Sequence, residues 1–258
     1  MAVKLKPFAV WGLVKEVRVA MQDELPLVIS GVLAEQLQKE LARNGTPGAV
    51  RVGGRLEDAA ALVRVLAGAP TAEDEAELRA ANREGLPVVA VQTGSGIFDV
   101  PYVQATDVVA CPPGAGFPVD EIARALAARL DDRGPNLAAR LPLLRRPVCD
   151  RLIDSFSRKN GILGVAIFVP GADLPVLTLN QIRLVLRVAA AHGVEVDQQR
   201  LPEVLGTIAA GFGFRAVARQ ALGALPVAGW LVKGAVAYGG TRALGEAAVR
   251  YFAAVDER

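Results

Sequence analysis

The chain has 258 residues, with 29 Lys and Arg against 27 Asp and Glu, and 52% of its residues are hydrophobic. That is enough apolar material for two modest domains with cores of their own, while a near-balanced charge and only 5% aromatics argue against a nucleic-acid surface, which needs a basic face and stacking rings. Two cysteines in unlike contexts, Cys111 and Cys149, make no disulfide framework and fit a reducing compartment, and one histidine, His192, leaves no metal-ligand set and no Ser-His pair. No metal or cofactor is expected.

Taken in chain order, residues 1–22 predict an amphipathic helix. Val10, Val14, Val17 and Met21 recur at helical spacing, with Lys15 and Arg18 on another face and Phe8 and Trp11 near the start. Such a helix either lies on a membrane surface or docks on its own domain, and docking is the commoner fate. The segment lacks the pure apolar core and small-residue cleavage site of a secretory signal.

Residues 23–132 alternate short apolar runs with longer helical segments. Strands are expected at 27–30, 49–52, 88–92 and 107–110, and helices at 33–43, 57–67, 72–84 and 119–130. Thr71 with Asp74 three residues on is a capping-box-like start, and Gly85 a plausible stop. Alternation of this kind predicts an α/β domain with a parallel sheet covered on both faces, Rossmann-like or a degenerate GTPase fold.

Residues 133–159 read as a basic connector helix carrying Arg133, Arg140, Arg145, Arg146, Arg151, Arg158 and Lys159. It is either a solvated helix or the cytoplasmic flank of a membrane segment. Residues 160–258 read as an all-α, glycine-rich apolar domain, punctuated at Gly193, Gly229 and Gly239-Gly240. Its longest uncharged stretches, 160–172 and 220–232, are thirteen residues each, short of the ~18 to 20 that span a bilayer unaided. Residues 161–180 hold ten Ile, Leu, Val or Phe but also Asp173, so their insertion balance is near zero. Ala235, Gly239, Ala243 and Ala247 form a small-residue stripe for close helix approach, which a bulky side chain at Gly239 should disrupt. Arg242, Glu246 and Arg250 recur on another face, spaced for ion pairs.

The chemistry is mostly missing. After the first strand Ser30-Gly31-Val32-Leu33-Ala34 runs straight into a helix, with no GxxxxGK[ST], and Gln92-Thr93-Gly94-Ser95 stands where GTPases keep a base reader. The glycine pairs Gly94 with Gly96 and Gly114 with Gly116 follow strands, where free amides hold anions, although such turns more often use glycine for conformation alone. A small phosphorylated ligand at the Gly114 turn is therefore an alternative reading. His192 before Gly193 suits a helix end. In Pro170-Gly171-Ala172-Asp173-Leu174-Pro175, Asp173 either caps the next helix or pairs with Arg215 or Arg219.

Lys159-Asn160-Gly161, the run from Pro170 through Asp173 and Pro175 to Thr178, Asn180-Gln181-Ile182-Arg183, Gly211-Phe212-Gly213-Phe214-Arg215 and Gly229-Trp230-Leu231-Val232-Lys233 occur in that order over residues 140–252. This region resembles the YcjF-type bacterial domain, whose members are integral or peripheral membrane proteins fused to or encoded beside Era-like GTPases. The resemblance implies Pro170, Gly171, Asp173, Pro175, Gln181, Arg215 and Lys233 as family motif residues without an assigned reaction. It also implies a membrane as partner, an Era-like GTPase or self-association through small-residue helix faces, and a place on the cytoplasmic side of the inner membrane. The N-terminal half is similar to a GTPase-type domain reduced to a pseudo-GTPase. The expected function is a non-enzymatic, membrane-associated protein of a GTPase-linked system. The alternatives are a soluble, cytoplasmic two-domain protein and the ligand binder at Gly114.

Overall fold

The computed structural model of the chain describes residues 7–96, 98–166, 174–197, 199–211 and 229–256. It divides into two compact units, Gln22–Val148 and a helical unit made of Met1–Met21 with Cys149–Arg258.

The first unit is a five-stranded, all-parallel sheet in the order β2-β1-β3-β4-β5, an α/β Rossmann-like fold. The strands are β1 (Leu27–Gly31), β2 (Val50–Val52), β3 (Ala61–Leu66), β4 (Val88–Gln92) and β5 (Val108–Ala110). The helices are α2 (Ala34–Leu41) after β1, α3 (Ala72–Arg83) between β3 and β4, and α4 (Val119–Arg129) after β5. Strand alternation sorts the two faces. Val28, Leu62, Leu66, Val88 and Ala90 pack with Leu78 and Ala81 of α3 into one core layer. Residues of the opposite parity, among them Ile29, Val63 and Val89, are fully buried on the other face, where α2 and α4 supply Leu37, Ile122 and Leu126.

Every expected strand is present, but residues 57–67 are not a helix. They hold the loop after β2 and then β3, whose six residues are all buried. Ala, Leu and Arg are good helix formers and the run shows no alternation, so local preference pointed the wrong way. Burial on both faces decided the outcome, as it does for central parallel strands. The start of α3 is as expected: the Thr71 side chain accepts from the Asp74 amide, the Asp74 carboxylate accepts from the Thr71 amide, and Gly85 at φ +62° follows the helix end.

The connector is not one helix. It is a single turn, then α5 (Gly134–Arg140), a break at Leu141, and α6 (Pro142–Ala166). Two of its arginines are spent on the sheet unit's own backbone: Arg140 donates to the carbonyls of Leu25 and Glu24 at 2.5 and 3.2 Å, and Arg133 to that of Ala60 at 3.2 Å. Burial lowers the Arg140 pKa, partly countered by Glu24. These bonds satisfy carbonyls just before β1 and β3, so the two cations are structural.

The helical unit contains α1 (Pro7–Ala20), most of α6, α7 (Leu174–Ala191), α8 (Leu201–Gly211) and α9 (Gly229–Asp256). Gly193 at φ +72° ends α7 as expected, with the buried His192 held by its Nδ1 at 2.9 Å from the Val188 carbonyl. Gly239 and Gly240, by contrast, sit inside the uninterrupted α9. The stripe Ala235, Gly239, Ala243 and Ala247 packs only toward its C-terminal end: Ala247 is buried and Ala243 half-buried, whereas Ala235 and Gly239 are exposed and a Cβ on Gly239 would meet nothing within 4 Å. The close approaches fall one register away. A Cβ on Gly234 would lie 2.5 Å from Val165 and 3.0 Å from the Gly161 carbonyl, and one on Gly245 2.5 Å from Ile153. Arg242 pairs with Asp154 of α6 at 2.5 Å rather than only along its own helix. Among the described residues no helix is long and apolar enough to cross a membrane.

The register makes a direct prediction. Gly245→Leu should destabilise the helical unit by about 1–3 kcal/mol or more through overpacking, whereas Gly239→Leu, with open space at its Cβ and a gain in helix propensity, should be neutral or slightly stabilising. Thermal unfolding followed by circular dichroism checks the order, and equal losses at both sites would show the helix turned wrongly.

Candidate functional site

Because all five strands run the same way, the loops after β1, β3, β4 and β5 open on one edge, and the strand order reverses between β1 and β3. That reversal is where open α/β sheets bind ligands. Here β1 and β3 stay paired to the end of β1, where Gly31 stands opposite Val65. Gly31 has φ +93°, and a Cβ on it would lie 2.0 Å from the Val65 carbonyl oxygen, so only glycine fits. The next amide, Val32, donates to the same carbonyl at 3.1 Å. Leu33 follows in the left-handed region at φ 55° with its side chain 54% exposed, and α2 begins without a side-chain cap. A phosphate loop needs a longer glycine-rich turn of free amides and a lysine. This two-residue turn is bonded to β3, and the first turn of α2 carries Glu35, whose charge opposes an anion at the helix start.

The glycine pairs divide in their roles. Thr93 donates to the Leu66 carbonyl through its amide at 2.8 Å and its hydroxyl at 3.1 Å, drawing the end of β4 against that of β3. A Cβ on Gly94 would then lie 2.5 Å from the Ala67 carbonyl, and one on Gly96 2.8 Å from the Phe98 ring. Gln92 fixes the same loop, donating to the Phe98 carbonyl at 2.7 Å. Gly94 is thus a packing glycine, held against backbone, while Gly96 faces only the half-exposed Phe98 ring. Gly114 has φ +80° in a turn closed by the Ala115 amide on Pro112, while Gly116 is open at its Cβ. Gly94 and Gly114 follow neighbouring strands, so the two pairs share one edge. The helix beyond Gly116, α4, opens on Asp120 and Glu121. Two carboxylates in that first turn weaken the case for a phosphorylated ligand. Cys111 beside this turn is buried, and burial together with Glu40 pushes its thiol up, away from the reactive thiolate.

Below the edge, on the α3 face, lies a charged node that sequence patterning missed. Arg64 stands in the middle of β3, 9% exposed. Its Nε and Nη2 donate to Asp74 at 2.8 and 2.5 Å, and its Nη1 donates to Glu77. Ser30, paired with Arg64 across β1 and β3, donates to the same Glu77 oxygen at 2.8 Å. The other Asp74 oxygen accepts from the Thr71 amide and hydroxyl, each at 2.7 Å. Burial pushes the Asp74 carboxyl up, but the bonds from Thr71 and Arg64 and the Arg64 charge outweigh it, and the net shift is downward. Every oxygen of Asp74 is engaged, so the group is structural rather than a free acid or base.

In the helical unit, Gln181 is the one residue of those singled out by the resemblance whose side chain is among the described residues. It donates to Thr241 at 3.3 Å; Asn160 donates to Thr241 at 2.9 Å; Asn180 donates to Asn160 at 2.9 Å; and Thr241 donates to the Ala237 carbonyl at 2.8 Å. Three helices, α6, α7 and α9, thus meet at amides and one hydroxyl, with Asn160 and Thr241 fully buried. Pro170, Gly171, Asp173 and Arg215 lie outside the described residues; Pro175 and Lys233 fall within α7 and α9, their side chains outside the description. A cavity of about 190 Å³ opens between α1 and the end of α7, lined by Val14, Val17, Met21, Leu186 and Val196 with Arg18 and Glu195 among its walls. Among the described residues no three His, Cys, Asp or Glu side chains are grouped to hold a metal. Compared with protein-family models, curated proteins and solved structures, the chain matches none.

Removing Arg64 should leave two carboxylates in the sheet unit without their cation, so Arg64→Met is expected to cost about 3–5 kcal/mol in urea unfolding. Asp74, held below its ordinary value in the folded state, adds stability that is present above the unfolded carboxylate range and lost as pH falls through the folded pKa. Asp74→Asn should therefore flatten the acid limb of the stability curve. An unchanged acid limb would show that the Asp74 charge contributes nothing.

Proposed function

We propose that the chain is a non-enzymatic, membrane-associated protein of a bacterial GTPase-linked system, with a pseudo-GTPase sheet unit that binds a partner rather than turning over nucleotide. The observation that carries this reading is the β1–α2 turn, which has two residues, no lysine and a Val32 amide already bonded to the Val65 carbonyl. The turn itself and the end of β2 beside it present apolar side chains: Val32, Leu33 and Val52 are 42% to 54% exposed. Such a rim suits a protein surface better than an anion. The resemblance of residues 140–252 to the YcjF-type domain supports membrane association and an Era-like GTPase, or a second copy, as partner, on the cytoplasmic side of the inner membrane.

Titration calorimetry of the full chain with magnesium GTP or ATP should give no saturable heat, and micromolar binding would overturn the pseudo-GTPase reading in favour of a nucleotide or phosphorylated ligand near Gly114. In cells, the chain should sediment with membranes and resist carbonate extraction. A chain that stays in the supernatant without detergent and fails to float with anionic liposomes is an ordinary two-unit soluble protein.

A further inference from the structure

Helix α1 buries one face and leaves another of unusual make-up. Leu13 is 6% exposed and packs, with Val10, Val14 and Val17, against Ile182, Leu186 and Leu201 of α7 and α8. At about 100° per residue these positions span one side of the helix, and Arg18, Trp11, Lys15, Val19 and Gly12 fall in that order across the opposite arc of roughly 120°. All five are exposed, Trp11 by 47% and Val19 by 53%. The arc holds two cations, a tryptophan and a valine, and no acid. The carboxylate of this helix, Glu16, lies beside the arc and is turned to α7, accepting from Arg183 at 2.9 Å with Arg187 at 3.7 Å.

The pieces are those of a membrane-interface helix: an indole, an aliphatic side chain one turn either side of a lysine, and cations flanking them. Lys15 Nζ lies 5.4 Å from the Trp11 ring centre, so the cation and the indole present together. A surface of acidic headgroups complements the cations and gives both apolar groups a place to leave water. A neutral bilayer would satisfy only the second need.

We propose that the outward face of α1, centred on Trp11 and Lys15, docks on an anionic lipid surface, with Lys15 and Arg18 at the headgroup phosphates and Trp11 and Val19 at the acyl boundary. This rests on the membrane reading above and names its surface and its lipid chemistry.

Trp11 and Trp230 are the two tryptophans, so Trp230→Phe in the full chain leaves Trp11 as sole reporter. With phosphatidylcholine vesicles containing phosphatidylglycerol, its emission should shift to the blue, reversibly with added salt, and stay unshifted with phosphatidylcholine alone. Lys15→Gln with Arg18→Gln should weaken partitioning roughly thirtyfold, since each basic residue near such a surface contributes about a fivefold factor. Both side chains are exposed, so the double variant should melt as the parent does, which separates lost docking from lost folding. A chain that sediments with anionic vesicles while Trp11 emission stays put, or whose binding survives the double substitution, overturns the proposal and leaves the membrane reading standing. Equal shifts on neutral and anionic vesicles overturn the choice of lipid. If neither vesicle is bound, both readings fall together.

Discussion

A guanidinium in the middle of a buried central strand is the constraint on which the sheet unit is arranged. Arg64 cannot be desolvated alone, so β3 is compatible with the core only if carboxylates meet it there. Asp74 and Glu77 do so, and Ser30 ties Glu77 back to β1. Asp74 is also the third residue of α3 and closes its capping box with Thr71. One carboxylate therefore fixes where α3 begins and which face of the sheet it covers. A Thr71→Ala change would remove only a cap, about 1 kcal/mol; the loss of Arg64 would remove the reason for the arrangement.

The helical unit solves a related problem with neutral groups. Helices α6 and α9 approach closely at Gly161 and Gly234, where a Cβ on the first would meet Tyr238 and the Gly234 carbonyl, and one on the second Val165 and the Gly161 carbonyl. Close approach places Asn160 and Thr241 within reach of each other and of Asn180 and Gln181. Amides and hydroxyls carry a smaller desolvation cost than ions and are directional, so they select one register of three helices with little to lose. Arg242 and Asp154 restate that register at a wetter site, where an exposed pair contributes little energy.

These two networks also mark the boundary of what the sequence discloses. Four strands, the α3 cap, the Gly85 and Gly193 stops and the amphipathic α1 follow from local pattern and turn chemistry, and each is present. The fifth strand was invisible because its signals are non-local: Ala61 to Leu66 prefer helix by composition, and the partner that permits Arg64 inside lies ten residues away in another element. The small-residue stripe was read one register off for the same reason. Counting Ala235, Gly239, Ala243 and Ala247 finds a smooth face but not its neighbour: Ala247 is buried while Ala235 and Gly239 are exposed, and the tightest glycine contacts are at Gly234 and Gly245. Gly94 was legible as a glycine after a strand, yet its cause, the Ala67 carbonyl, depends on how β3 and β4 end together.

The sheet's ligand edge and the α1 surface differ in sign, and that difference organises the proposed function. At the edge, the helix starts carry Glu35, Asp120 and Glu121, and the switch-point amide is already bonded within the fold. Along α1, the outward arc carries Lys15 and Arg18 with Trp11 and Val19. An anion is repelled at the first and attracted at the second. A single 14-residue helix with two outward cations gives reversible contact with a membrane at most, and stable anchoring takes a second signal. On the proposed membrane reading, the second signal would be the pair of uncharged runs 160–172 and 220–232, each too short to cross alone. On this reading α1 sets which surface the chain visits, and the apolar runs set how long it stays.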